Sequence, residues 1–270
     1  RVPGWDAIVL TAASPQQAEL YRLQIEGARR RRRIGANTFA LVAPDPEGKR
    51  IGSGGATLNA LHLLAEARPG TDLSRLRVLL IHAGGDSRRA PWANILGKPF
   101  IPLALLADPD RAVPTLFDHL LAIAAPAALN SRGGGLLCLT GDVLPLFPAS
   151  RVVFPSDGAL VVTTPASLDV AERHGVVVAD PEGRVVRLLQ KVPASDLCKA
   201  GALVGGGAAL LDTGIYAFLG AAYAKLIEMA SSGPDPVRAL VEAGEEISLF
   251  EELAAAFVPR EHGWLRKRPL

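Results

Sequence analysis

Residues 82–98 read HAGGDSRRAPWANILGK, and they indicate the fold of the whole chain. They begin at the end of an apolar run, RVLLIHA at residues 77–83, whose length and composition predict a buried strand. The strand leads into Gly84 and Gly85, which allow the chain to turn sharply. Because a glycine turn at the end of a buried strand leaves successive backbone N–H groups unbonded, it is suited to bind a phosphate.

Cationic side chains follow this glycine turn. Arg88 and Arg89 come directly behind it, with Ser87 before them, and Lys98 lies after a further glycine. Guanidinium and ammonium groups that converge beside free amides form a binding site for a triphosphate. The same spacing also fits an ordinary turn between a strand and a loop, with exposed basic side chains. The residues alone leave both interpretations open.

The segments on either side alternate between strand and helix patterns. Before residue 150, apolar runs predict strands at residues 6–11, 37–43, 77–83 and 135–140, with helical patterns at residues 14–33, 58–67 and 115–125. After it, strands are predicted at residues 160–164, 175–179, 185–189 and 210–218, then helices at residues 221–230 and 236–243. This order predicts an α/β fold: a Rossmann-like, three-layer αβα domain with a mixed, mostly parallel central sheet. We expect residues 1–270 to form this one domain.

The composition excludes several classes of protein. The 270 residues are 49% hydrophobic with a formal net charge of +2, which excludes a disordered chain and favours neither nucleic acid nor membrane as a partner. Cys138 and Cys198 are too few for a disulfide framework, so a reducing, cytoplasmic location is expected. No apolar run approaches the roughly 20 residues of a membrane helix. The chain begins at Arg1 rather than methionine, and we expect it to be part of a longer polypeptide.

The segment at residues 82–98 resembles the signature loop of the sugar-1-phosphate nucleotidyltransferases. In that family a strand runs into a Gly-Gly-rich loop, then an arginine, then a lysine ahead of a Pro-Leu pair. The matching positions here are Gly84, Gly85, Arg89, Lys98, Pro102 and Leu103. The commonest loop of the family has Gly and Thr before the arginine, whereas this chain has Ser87 and Arg88. Together with IGSGGATLNAL at residues 51–61, this departure resembles the fucose-1-phosphate guanylyltransferase (GDP-fucose pyrophosphorylase) branch, which includes the domain fused to fucokinase.

The resemblance implies a GT-A-like nucleotidyltransferase fold and a magnesium-dependent active site. It implies that Arg89 and Lys98 are catalytic and that the glycine loop, with Ser87 and Arg88, binds the nucleotide. Asp142, at the end of a predicted strand, matches the aspartate that holds the catalytic Mg²⁺ in such enzymes. A carboxylate at the carboxyl end of a parallel strand faces the crevice where open α/β sheets bind ligands, and Mg²⁺ takes one or two carboxylates plus phosphate oxygens and water.

Further positions are assigned to the two substrates. Gly175 and Lys191 resemble the family residues that contact the sugar and its phosphate, although Gln190 stands where most relatives have Glu. Asp212 resembles a sugar-side residue that also fits a turn role or a second metal. Gly54 and Gly55 open a predicted helix, so their amides suit a nucleotide, while close packing beside the active-site loop explains the same glycines equally well.

The activity that the resemblance implies is the reaction of GTP with β-L-fucose 1-phosphate to give GDP-L-fucose and pyrophosphate. The expected partners are therefore these two substrates and Mg²⁺, with a fused fucokinase or C-terminal domain outside this chain. A nucleotidyltransferase for another sugar or base stays open, and so does a regulatory domain that binds a nucleotide sugar without turning it over. The residues do not indicate the oligomeric state.

Other interpretations fit less well. The five arginines at residues 29–33 end a predicted helix and are expected to face solvent, because few aromatic residues accompany them to stack on bases. A glycosyltransferase of the same fold would carry an Asp-x-Asp metal motif, whereas Val143 and Leu144 follow Asp142. A dehydrogenase would need a Gly-x-Gly-x-x-Gly motif after the first strand, and a zinc site would need clustered Cys and His.

Overall fold

The computed structural model describes residues 4–84, 97–104, 113–130, 133–148, 151–231 and 237–258. The strands are β1 (Ala7–Ala12), β2 (Phe39–Pro44), β3 (Arg77–His82), β4 (Gly135–Thr140), β5 (Gly158–Ala166), β6 (Gly175–Ala179), β7 (Val185–Gln190), β8 (Leu203–Val204) and β9 (Ala208–Leu219). The helices are α1 (Pro15–Arg30), α2 (Gly52–Ala67), α3 (Leu116–Asn130), α4 (Leu168–Ala171), α5 (Ala194–Lys199), α6 (Gly220–Ser231) and α7 (Arg238–Ala243). A π-helical turn follows at Leu249–Ala254.

The strands form one mixed, open sheet. Its order is β2-β1-β3-β4-β9-β6-β7, with β5 and β8 also paired to β9. The pairs β1–β2, β1–β3 and β3–β4 are parallel, which confirms the predicted parallel centre. The strand β9 runs antiparallel to all its partners and joins this centre to the second half of the sheet.

Helices cover both faces of the parallel half. Alternate residues of β1 point to opposite faces: Ala7 and Val9 join the cluster that contains α2 and α6, and Ile8 and Leu10 join the cluster that contains α1 and α3. A strand that is buried on both faces needs a continuous apolar run, which is the pattern its sequence shows. The helix–sheet–helix layering that the sequence predicts is therefore confirmed for this half.

The helix α1 begins where the sequence predicts and ends early. Ser14 caps it by accepting a hydrogen bond from the Gln17 amide at 3.2 Å, and Pro15 occupies the first turn. The predicted helix reaches residue 33, whereas the observed one ends at Arg30, and Arg32 has a φ of 57°. Arginines near a helix end favour the negative end of the dipole, but a left-handed residue stops the helix.

The glycine-rich segment at residues 52–57 is helical and forms the first turns of α2. The predicted helix begins at residue 58, whereas the observed helix begins at Gly52. Glycine is a weak helix former, so this first turn depends on tertiary contacts, which the next subsection describes. Among the described helices, none combines the length and apolarity needed to cross a bilayer.

Candidate functional site

The ends of β1 and β3 are joined at the point where the predicted phosphate loop begins. The Thr11 hydroxyl accepts hydrogen bonds from the amides of Ala83, at 3.1 Å, and Gly84, at 3.3 Å. On the other side, the Tyr21 hydroxyl donates to the carbonyl of Ala83 at 2.7 Å. Thr11 and Tyr21 are both buried, so side chains from β1 and α1 fix the backbone from which the loop departs.

The central residues of the loop, Gly85, Ser87, Arg88 and Arg89, lie outside the described residues, so their predicted roles stay predictions. The described chain continues at Gly97, which has a φ of 83°. A Cβ at Gly97 would overlap the ring of Tyr21, so only glycine fits there. The loop therefore leaves and returns beside the same tyrosine.

Two residues predicted for catalysis and metal binding form an ion pair. The Lys98 ammonium lies 3.2 Å from the Asp142 carboxylate, and the two side chains are 20% and 48% exposed. The Gly141 amide donates to the carbonyl of His82 at 2.8 Å, which ties the end of β4 to the end of β3. The structure thus brings Lys98 and Asp142 together at the carboxyl edge of the parallel strands.

The position of Asp142 fits a metal site in which a bound substrate supplies some of the ligands. The described residues contain no group of three or more His, Cys, Asp or Glu side chains that would hold a metal by themselves. Mg²⁺ needs only one or two carboxylates when phosphate oxygens and water supply the other ligands. Asp142, nearly half exposed at a strand end, meets that requirement once a phosphorylated substrate is present.

A bulge in β9 places Asp212 next to the same edge. The pairing with β5 shifts between Val162 and Thr163, so the bulge contains Thr213 and Gly214. The Thr140 hydroxyl donates to the Gly214 carbonyl at 3.1 Å, which connects the bulge to the strand that precedes Asp142.

The carboxylate of Asp212 bonds to the backbone of the neighbouring bulge. Its carboxylate accepts a hydrogen bond from the Gly214 amide at 2.9 Å. Burial raises the pKa of this carboxyl group, and interactions with Tyr216 and the Gly214 amide oppose that shift. The turn role that the sequence left open is therefore present, and contact of Asp212 with sugar stays a prediction.

Lys191 and Gly175 lie at one end of the β6–β7 hairpin. Lys191 has a φ of 50°, which is uncommon for a residue other than glycine, and its ammonium forms no ion pair with a described residue. A Cβ on Gly175 would approach Phe250 to 3.0 Å and the Gln190 amide oxygen to 3.1 Å. Packing by Phe250 therefore explains the glycine, while an exposed Lys191 beside it remains suited to an anion.

The amides of Gly54 and Gly55 are already bonded within the protein. Both donate to the carbonyl of Ile247, at 2.7 and 3.3 Å, and a Cβ on Gly54 would lie 2.7 Å from the Ile247 side chain. The Leu249 amide also donates to the Ser53 hydroxyl at 2.9 Å. The C-terminal segment therefore occupies both amides, and a contact of these glycines with a nucleotide stays a prediction. Close packing, the alternative explanation, is present, but its partner is Ile247 rather than the loop after β3.

Sequence reasoning missed two polar residues at this edge. His82, at the end of β3, places its Nε2 atom 3.2 Å from the Thr57 hydroxyl, and burial lowers its pKa to about 4, so the ring is neutral at pH 7. Asp45, half-buried directly after β2, has a pKa raised to about 6 by burial and by Glu246. Their positions directly at strand ends were the available signal.

Comparison with known proteins gives consistent matches. The family model of the fucose pyrophosphorylase domain matches residues 70–267. The chain is 47% identical to the "Bifunctional fucokinase/GDP-fucose pyrophosphorylase" of Arabidopsis thaliana, over 100% of this chain and 28% of that protein. It is 34% and 33% identical to the "Fucose-1-phosphate guanylyltransferase" of Mus musculus and of Homo sapiens, over 64% and 66% of this chain and 29% of each relative. The chain thus spans less than a third of the length of these relatives.

Proposed function

The chain belongs to the fucose pyrophosphorylase family, and we propose that it catalyses the reaction of GTP with fucose 1-phosphate to give GDP-fucose and pyrophosphate. The observation that supports this most is the position of the family match. Residues 70–267 include the loop after β3, Lys98, Asp142, Lys191 and Asp212, so the match covers both predicted substrate sides. We extend the proposal to the fold: the three-layer domain is of the GT-A-like nucleotidyltransferase type.

The reaction needs charge control rather than a strong base. A phosphate oxygen of the sugar phosphate attacks the α-phosphorus of GTP, a new P–O bond forms, and the bond to the β-phosphate breaks. The electron pair of that bond leaves on pyrophosphate, and because the attacking oxygen is already anionic, no proton must be removed first. Two unit negative charges at 4 Å repel by about 4 kcal/mol at an effective dielectric constant near 20, so cations must hold the substrates together.

The chain supplies these cations from two sides. Lys98, held at the strand ends by its contact with Asp142, neutralises the triphosphate, and Arg89 neutralises the leaving pyrophosphate. Lys191 binds the phosphate of the sugar from the β6–β7 hairpin. Asp142 would hold a bound Mg²⁺, which when present withdraws charge from the phosphates.

The wider setting of the chain is also a proposal. The name of the Arabidopsis relative includes a fucokinase, and we infer that the full-length protein carries such a kinase beside this domain. Both described cysteines are free, Cys138 in the core and Cys198 at the surface. Free thiols are typical of a reducing compartment, and this favours a cytoplasmic location.

The test is release of pyrophosphate by the purified protein. We expect release from GTP only with fucose 1-phosphate and Mg²⁺ present, and much slower release with ATP, UTP or CTP, or with other hexose 1-phosphates. Lys98→Ala should lower kcat by at least about 100-fold, since one well-placed charge contributes roughly 3 kcal/mol to such a transition state. Lys225→Ala, which breaks a surface ion pair with Glu228 on α6, is the matched control and should retain activity. Equal activity of both variants would contradict the proposed role of Lys98. Tight binding of GDP-fucose without turnover would contradict the proposed catalytic activity.

A further inference from the structure

The carboxyl ends of β1, β2 and β3 lie side by side at one edge of the sheet, and this order predicts where a nucleotide lies. The strand β1 lies between the other two, and the chain leaves it through α1 on one face and reaches β3 through α2 on the opposite face. Open α/β sheets bind ligands at such a switch point. The phosphate loop starts at Gly84, so the phosphates of a nucleotide belong above the ends of β3 and β1.

The spacing of the strands indicates which strand end lies below the ribose of a bound nucleotide and which lies below its base. Neighbouring strands lie about 4.8 Å apart, so the end of β2 is roughly 10 Å from the end of β3. A nucleotide whose phosphates lie at β3 and whose ribose lies above β1 brings its base to the end of β2. Here, the residue directly after β2 is Asp45.

The backbone of Asp45 is held firmly at this edge. Its amide donates to the carbonyl of Ala12, the last residue of β1, at 2.7 Å. The preceding carbonyl, that of Pro44, accepts a hydrogen bond at 2.9 Å from Asn59, a buried residue of α2. Contacts from β1 and α2 therefore fix the position from which the Asp45 side chain extends.

No hydrogen-bond donor among the described residues reaches the carboxyl group of Asp45. It is half-buried, yet it accepts no hydrogen bond from any residue within the described ranges. Burial raises the pKa of this carboxyl group most; Arg50 attracts its charge, and Glu246, from the C-terminal segment, repels it. The Asp45 oxygens are not among the fully buried, unpaired polar atoms of the described residues, so the carboxylate is open to a ligand that brings hydrogen-bond donors.

We propose that Asp45 is the residue that selects guanine, accepting hydrogen bonds from the adjacent N1–H and N2–H groups of the base. A carboxylate presents two acceptor oxygens, and guanine presents two neighbouring donors on one edge. Adenine, cytosine and uracil do not carry this pair. The inference rests on the proposed function, because it takes GTP as the nucleotide.

The test measures binding and turnover separately. Calorimetry gives the Kd of GDP, IDP and 2′-deoxyGDP for the wild type, Asp45→Asn and the control Glu47→Gln. Glu47 lies on the same loop, but its side chain is 68% exposed and pairs with Lys49 at 2.8 Å. Inosine lacks the N2 amine and keeps N1–H, whereas 2′-deoxyguanosine changes only the ribose.

The expected result is specific to the base. The wild type and Glu47→Gln should bind GDP about 10-fold or more tighter than IDP, and in Asp45→Asn this ratio should fall below about threefold. A loss of 10-fold corresponds to about 1.4 kcal/mol. An unchanged GDP-to-IDP ratio in Asp45→Asn would overturn the proposal, and so would a change confined to 2′-deoxyGDP, which would assign the carboxylate to the ribose. If the wild type discriminates GDP from IDP but forms no GDP-fucose, the proposed function fails while the role of Asp45 stands.

Discussion

Replacing Thr11 by valine tests whether a side chain of β1 sets the phosphate loop. Valine has nearly the same shape but no hydroxyl, so the amides of Ala83 and Gly84 lose the acceptor that they share at 3.1 and 3.3 Å. Thr11 is 3% exposed and Ala83 is fully buried, so water cannot easily replace the bond to Ala83. A buried donor left without a partner costs about 1 to 3 kcal/mol.

We expect a loss of about 2 kcal/mol in the free energy of unfolding. The full cost applies to Ala83, and a smaller one to the longer bond of Gly84, which is only partly buried. For a domain of this size, that loss lowers Tm by about 4 to 8 °C. Because the loop begins at Gly84, kcat/KM for GTP should also fall at a temperature where the variant is still folded.

The assay is thermal unfolding beside steady-state kinetics, with Thr11→Ser as the matched control. Serine keeps the hydroxyl and loses only a methyl group, so it should restore most of the kcat/KM that the valine variant loses. If Thr11→Val unfolds at the wild-type temperature and keeps the wild-type kcat/KM, the hydroxyl does not position the loop. If Thr11→Ser is impaired and Thr11→Val is not, packing of the methyl group, rather than the hydrogen bond, is the cause.

Two further changes test other contacts of the same edge. Gly54→Ala should destabilise the protein by about 1 to 3 kcal/mol, because the new Cβ would lie 2.7 Å from the Ile247 side chain, whereas Gly205→Ala meets no atom within 4 Å and should be nearly neutral; equal Tm values would contradict the packing role. Asp45 should make the protein less stable as pH rises from about 4 to above 6. Its pKa in the folded protein, raised to about 6, exceeds the usual value of 3.8, so between these values the folded state binds more protons than the unfolded state and loses that advantage as pH rises. The free energy of unfolding, measured by chemical denaturation between pH 4 and 8, checks this. Above pH 6, Asp45→Asn should be more stable than the wild type by about 1 kcal/mol, a value that allows for partial solvent screening. A less stable variant would indicate a structural role for the carboxylate.

The sequence predicts the parallel half of the sheet well because each strand there is buried on both faces. A continuous apolar run such as LLCL in β4 has few alternatives, and its end marks the crevice where Asp142 lies. The pairing of Lys98 with Asp142 follows less directly. It depends on the order of the strands, which places the ends of β3 and β4 side by side.

Contacts between distant segments could not be predicted in the same way. Gly52 to Gly55 look like a phosphate-binding turn by composition, yet they pack against a segment about 196 positions further along, where Leu249 bonds to Ser53. No local pattern indicates that partner. The bulge at Thr213 and Gly214 is similar, because its reason is the Thr140 hydroxyl on a neighbouring strand.

The family match begins at residue 70, whereas β1 and β2 precede it. The strand β1 lies between β2 and β3, so the segment before residue 70 supplies the neighbour of β3. It also supplies Thr11 and Tyr21, whose hydroxyl groups bond the backbone of Ala83, where the predicted phosphate loop begins. Without β1, the strand β3 would become an exposed edge, with the apolar residues Leu79 and Ile81 uncovered on the face that packs against α1. The matched region therefore lacks two of the three strand ends at which we propose that the nucleotide binds, and it lacks Asp45.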